Sequence, residues 1–164
     1  MNYLGIEREK LNPTVQALNK LLADYHVYYQ NLRNFHWNVK GHNFFELHEV
    51  FENLYNDAKV KIDEIAERIL TLRFRPLSTL SDYIEIAEVE EYGKVTEPKK
   101  MVEGLLKNHK VIISDFREVI NQADEITDEG TIDLIGGMLS GFEKQSWMLN
   151  SWLSKQDRPV EVES

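Results

Sequence analysis

The run HWNVKGHNFFELH, residues 36 to 48, has a histidine at each end, His36 and His48, and a glycine, Gly41, near its middle. Imidazole nitrogen combined with carboxylate oxygen suits iron, manganese or zinc. The acids that could join the two histidines are Glu52, one turn beyond His48, and the pair Asp63 and Glu67, one turn apart further along the chain. Cysteine is absent, so neither thiolate ligation nor a disulfide framework is available, and any metal held here must accept N and O donors.

Four long stretches position these residues, and each repeats apolar side chains every three or four positions, the period of amphipathic helices. The first runs from about Asn12 to Val39, with Val15, Leu18, Leu22, Tyr25, Tyr29 and Leu32 on one face and His36 closing the stripe. The second runs from about Asn43 to Arg73, carries Leu47, Phe51, Leu54, Ala58, Ile62, Ile65, Ile69 and Leu72 in register, and is ended by Pro76. Leu80 to Val89 reads as a short amphipathic helix. The third long helix opens near Thr96 to Pro98 with a threonine cap and an early proline, and its stripe includes His109. The fourth starts after Thr127, and its Gly136, Gly137 and Gly141 imply close packing, because glycine lowers helix propensity. Short turns join the first helix to the second and the third to the fourth, while a long connection separates second from third. The predicted fold is all-α, a ferritin-like four-helix bundle with a short extra helix in the crossover. It forms one domain over 1–164, with a short N-terminal segment 1–11 and an acidic tail 156–164.

On a helical wheel the core stripe of the second helix clusters on one side, and His48, Glu52, Asp63 and Glu67 point away from it. Phe45, Tyr55, Ala66 and Leu70 share that outward sector, and such a mixed face predicts contact with another chain rather than a solvated surface. Along the helix His48 and Asp63 are roughly 22 Å apart, whereas a metal ligand sits at about 2 Å. One chain therefore cannot close the site. A second copy running antiparallel about a two-fold axis near Asp57 and Ala58 would bring His48 and Glu52 opposite the other copy's Asp63 and Glu67. A hairpin pivoting near residue 42, where Gly41 lets the backbone turn, places His36 beside His48. So few protein ligands leave coordination positions open, which favours redox chemistry over a structural site. No Glu-x-x-His pair occurs, which argues against a metal centre inside a single bundle. His26 and His109 are assigned to packing or surface, and His42 to solvent.

The pattern H-W-N-V-K-G-x-x-F-x-x-L-H-x-x-F-E, followed by D-x-x-A-E-R at 63 to 68 and W-M-L-x-x-W-L at 147 to 153, resembles the Dps family of mini-ferritins over nearly the whole chain. The resemblance implies a hollow dodecamer with a ferroxidase centre at each two-fold interface, where His36 and His48 come from one subunit and Asp63 and Glu67 from its partner. It implies oxidation of Fe(II), preferentially by hydrogen peroxide, storage of Fe(III) mineral and protection from oxidative stress, with zinc or manganese as possible substitutes for iron. The family often has Asp where this chain has the longer Glu52, which leaves open whether Glu52 ligates directly or through water. Trp37 corresponds to a family tryptophan near the iron, where its ring intercepts stray oxidant or simply packs at the interface. Asp124, Glu129 and Asp133 correspond to acids lining an iron-entry pore, although the helix dipole alone also favours acids at a helix start.

Many members bind DNA through a lysine-rich extension, and this chain departs from that pattern. Its first residues offer only Arg8 and Lys10 beside two glutamates, the ending RPVEVES is acidic, and the net charge is -9. Strong DNA binding is not expected, since it rests on clustered Lys and Arg. No leader pattern and no apolar run of about 18 residues is present, so a soluble, cytoplasmic protein is expected. The rival reading is a helical oligomer whose interface acids and histidines bind nothing or a passive zinc ion.

Overall fold

A computed structural model describes residues 3–154. A 3-10 turn at Arg8–Leu11 leads into α1 (Asn12–Asn38), followed by α2 (Phe44–Thr71), α3 (Leu80–Ile86), α4 (Pro98–Asp124) and α5 (Glu129–Ser154). Among the described residues there is no strand, and no helix is long and apolar enough to cross a membrane. The acidic tail assigned to 156–164 lies outside the described residues. Helix α1 packs along both α2 and α4, α4 packs along α5, and α3 rests on α1. This is the bundle with one long crossover that the turn lengths predict.

The stripes meet in one core. Leu18, Tyr25 and Leu32 of α1, Phe51 and Ile65 of α2, Phe116 of α4 and Phe142 of α5 are each 1% exposed or less. The rings of Tyr25, Phe116 and Phe142 meet at centroid separations of 5.6 to 5.9 Å, the tilted and edge-on arrangements that aromatic quadrupoles favour.

Three expectations about local structure are corrected. Helix α2 ends before Pro76 is reached, because Arg73 turns left-handed at φ 68° and the Phe74 N–H donates to the Ile69 carbonyl at 3.1 Å. That is a Schellman closure with arginine where glycine is usual. Thr96 does not cap α4: Glu97 is the N-cap with no side-chain bond, and Pro98 in the first turn sets the start. A Cβ added at Gly136, Gly137 or Gly141 would meet nothing within 4 Å, so packing inside the chain does not account for them. The close approach is at Gly130, where a Cβ would stand 2.8 Å from the Arg68 guanidinium.

The crossover around α3 has long irregular stretches, and α1 supplies partners for their backbone groups. Asn31 accepts from Tyr92 N–H at 3.0 Å and donates to the Glu90 carbonyl at 2.8 Å, and Asn34 donates to the Tyr92 carbonyl at 2.7 Å. Asp24, fully buried, accepts from Glu88 N–H and Val89 N–H at 2.7 and 2.6 Å. Lys20 then bridges Asp24 and Asp115 at 3.0 and 2.6 Å. Burial first, and the neighbouring Asp24 second, push the Asp115 carboxyl up to about 7 against the opposing pull of Lys20.

Candidate metal centre

The hairpin between α1 and α2 builds the site. Val39 leaves the helix in an extended conformation, Gly41 turns at φ 107°, a region an L side chain rarely enters, and its carbonyl accepts Phe44 N–H at 3.1 Å. The turn folds residue 36 back onto residue 48. Their imidazoles stack with centroids 3.7 Å apart and planes 17° apart.

The hydrogen bonds of this pair are reciprocal. His36 Nδ1 lies 2.7 Å from the His48 carbonyl oxygen, and His48 Nδ1 lies 2.8 Å from the His36 carbonyl oxygen. A carbonyl only accepts, so each Nδ1 must carry a proton, and in the neutral ring each Nε2 keeps its lone pair. Among the described residues neither Nε2 has a hydrogen-bond partner. Fixing the tautomer through the distal nitrogen is how proteins orient histidines that bind metal. His36 is 7% exposed, and its ring is held by the edge of Tyr55 at 5.3 Å, while Phe44 stacks on His48 at 5.0 Å.

The carboxylates divide into two groups. Glu52 stands one turn after His48 at the same end of α2, with its side chain exposed. Asp63 and Glu67 are also exposed but lie toward the other end, roughly 22 Å away along the axis. Among the described residues of one chain, no group of three or more His, Asp or Glu side chains could hold a metal ion. The far end of α2 is anchored by Arg68, which donates to Asp128 at 2.6 Å and to Thr131 Oγ1 at 2.9 Å. Asp128 is a residue the sequence reading missed. It is 3% exposed, accepts from Thr131 N–H and thereby caps α5. Its signal was present, an aspartate directly ahead of a helix.

Of the other residues singled out, Trp37 is 58% exposed, with the Arg33 guanidinium 5.0 Å from its ring. Asp124 closes α4, Glu129 and Asp133 lie in the opening turns of α5, and all three are exposed. Phe45 and Leu70, on the outward face of α2, are exposed in the single chain at 85% and 55%.

The remaining histidines are placed differently. His42 is exposed in the turn, and His26 stacks on Tyr83 at 3.8 Å, where burial lowers its pKa. His109 is 1% exposed, between Tyr28 Oη at 2.8 Å and Ser146 Oγ at 2.7 Å. Ser146 donates its own proton to the Phe142 carbonyl, so it accepts from His109 Nδ1–H, and the Tyr28 hydroxyl donates to Nε2. Burial lowers the His109 pKa to about 3, which keeps the ring neutral.

Residues 15–158 match the family model of the ferritin-like domain. The chain is 42% identical to the "DNA protection during starvation protein" of Porphyromonas gingivalis, over 92% of this chain and 95% of that one. It is 41% identical to "DNA protection during starvation protein 2" of Bacillus anthracis, over 86% of this chain and 97% of the relative. Among solved structures it is similar to the Dps protein of Vibrio cholerae O1, described as "a member of a broad superfamily of ferritin-like diiron-carboxylate proteins". That likeness has a TM-score of 0.91 and 40% identity, covering 93% of this chain and 96% of the other.

Proposed function

From the premise that this chain belongs to the Dps family of ferritin-like proteins, we propose that it oxidises Fe(II) at centres shared between two copies and stores the Fe(III) product. The observation that carries this reading is the stacked pair His36 and His48, with both Nδ1 atoms engaged and both Nε2 atoms without a partner among the described residues. Two imidazole nitrogens with Glu52 form one half of a donor set. Asp63 and Glu67 form the other half, too distant on the same helix to join it. An antiparallel copy across the outward face of α2 unites the halves twice, once at each end of the pair. Phe45 and Leu70 lie on that face and would be covered by the contact.

Iron is the substrate here. Hydrogen peroxide, the preferred oxidant in this reading, takes one electron from each of two ferrous ions, and with two protons it leaves as two waters. The protein contributes fixed ligands and bare coordination positions for that transfer. Twelve copies would enclose the mineral, and Asp124, Glu129 and Asp133 would draw cations through an acidic entrance. The net charge of -9 supports an iron store that does not grip DNA, since that grip rests on clustered Lys and Arg. The test against DNA is a gel shift, in which retardation surviving about 150 mM salt would contradict this part of the reading.

Mixing experiments test the split centre directly. His36→Ala and Asp63→Ala subunits are each inactive alone in peroxide-driven Fe(II) oxidation. Co-refolded in equal amounts, half of the random pairs are mixed and each mixed pair keeps one intact centre, so about one quarter of parent activity returns. Failure to recover activity in correctly assembled mixtures refutes the shared site. Native mass measurement of the same samples gives the assembly size.

A further inference from the structure

Peroxide meeting a single ferrous ion yields Fe(III), hydroxide and a hydroxyl radical, an oxidant that the two-iron reaction avoids. Aromatic rings are linked outward from His36. Tyr55 meets the His36 ring edge-on at 5.3 Å, and Tyr29 meets Tyr55 edge-on at 6.1 Å. The Arg33 guanidinium lies 5.2 Å from the Tyr29 ring and 5.0 Å from the Trp37 ring. A cation over a ring is attracted to the neutral π-system and repelled by the positive charge that electron loss creates. Arg33 therefore makes Tyr29 and Trp37 harder to oxidise.

Among the described residues Tyr55 has no cation placed over its ring, and Glu52 is its principal charged neighbour. The Tyr55 phenol is thus a hydrogen-atom donor against a ligand histidine, beside an anion that favours loss of an electron.

We propose that Tyr55, and not the more exposed Trp37, quenches a stray one-electron oxidant at this centre, an inference that rests on the ferroxidase reading above. The Tyr55 O–H bond breaks, and its proton and electron pass together to the hydroxyl radical. One water forms, and a neutral phenoxyl radical remains on Tyr55. A further ferrous ion supplies the returning electron and becomes Fe(III), while a proton from solvent restores the O–H.

The test loads the assembled protein with one ferrous ion per centre without oxygen, adds peroxide and freezes the mixture for electron paramagnetic resonance. The parent should show a tyrosyl radical whose hyperfine pattern narrows when ring-deuterated tyrosine is incorporated. Tyr55→Phe, which keeps the ring, should lose that signal and release several-fold more hydroxyl adduct to a spin trap. Trp37→Phe should retain the signal, and Arg33→Gln should shift radical density toward Trp37 and Tyr29. A tyrosyl signal that survives in Tyr55→Phe, or a radical that vanishes in Trp37→Phe, overturns the proposal, as does a parent that oxidises Fe(II) with no protein radical. A parent that fails to oxidise Fe(II) removes the ferroxidase reading instead.

Discussion

The stacked histidines at the α1–α2 hairpin and the one at His109 differ in how many ring nitrogens the protein engages. At His36 and His48 one nitrogen of each ring is held by a backbone carbonyl and the other is unpartnered among the described residues. At His109 both are held, by Tyr28 and Ser146, and the ring lies flat against Phe142 at 4.0 Å. The first pair is oriented and available. The second is oriented and closed, so it serves packing and a buried hydrogen-bond chain.

Exchanging the two roles by mutation is the strongest way to break that contrast. His36→Ala should lower peroxide-driven Fe(II) oxidation by at least about 100-fold, more than the loss typical of a supporting residue. Its denaturation midpoint should move only slightly. His109→Ala should do the reverse, costing about 2–4 kcal/mol for the vacated volume and the stranded Tyr28 and Ser146 groups. Its rate per folded centre should match the parent. Stopped-flow absorbance and urea unfolding of both variants decide the matter, and the contrast collapses if each variant moves the same quantity.

Titration sharpens the comparison. His109 is neutral when folded down to about pH 3 but binds a proton near 6.5 when unfolded, so its contribution to stability is full above 6.5 and is lost as pH falls. Asp115 runs the other way. Its folded value of about 7 exceeds the ordinary 3.8, so its contribution is full below 3.8 and is lost as pH rises toward 7. Between about pH 4 and 6.5 the two slopes oppose one another, each near 1.4 kcal/mol per pH unit. In urea unfolding at several pH values, His109→Phe should tilt stability toward acid, and Asp115→Asn should tilt it toward neutrality. The smallest effect belongs to the open pair's turn. Gly41→Ala should cost about 1–2 kcal/mol, because alanine resists a positive φ, and His109 should keep its hydrogen-exchange protection.

Most of the architecture was legible because its signals are periodic. The stripes through Leu18, Phe51, Phe116 and Phe142 and the short turn at Gly41 determine four helices and their order. The separation of Glu52 from Asp63 and Glu67 along α2 was legible for a similar reason, since residue number converts to axial distance on a helix. What stayed hidden depends on single contacts between distant segments. Arg73 ending α2 without glycine, Asp24 and Asn31 facing the crossover, and Asp128 gripping Arg68 have no repeating pattern to reveal them. The tautomer of His36 and His48 likewise follows only from which carbonyl each ring meets, and no spacing rule encodes that.

Asn31, Asn34 and Asp24 reach peptide N–H and C=O groups of the crossover, not its side chains. Helix α1 thereby fixes the path of the crossover, while buried Val89 and the Tyr92 ring, 5.6 Å from Phe35, tie it to the core. The exposed Glu90 and Glu91 can drift in sequence while their course stays fixed, and proline is barred at Glu88, Val89 and Tyr92, whose amides are used. A stretch so constrained in path, with such positions open to solvent, is where relatives of this protein can acquire new surface chemistry without refolding the bundle.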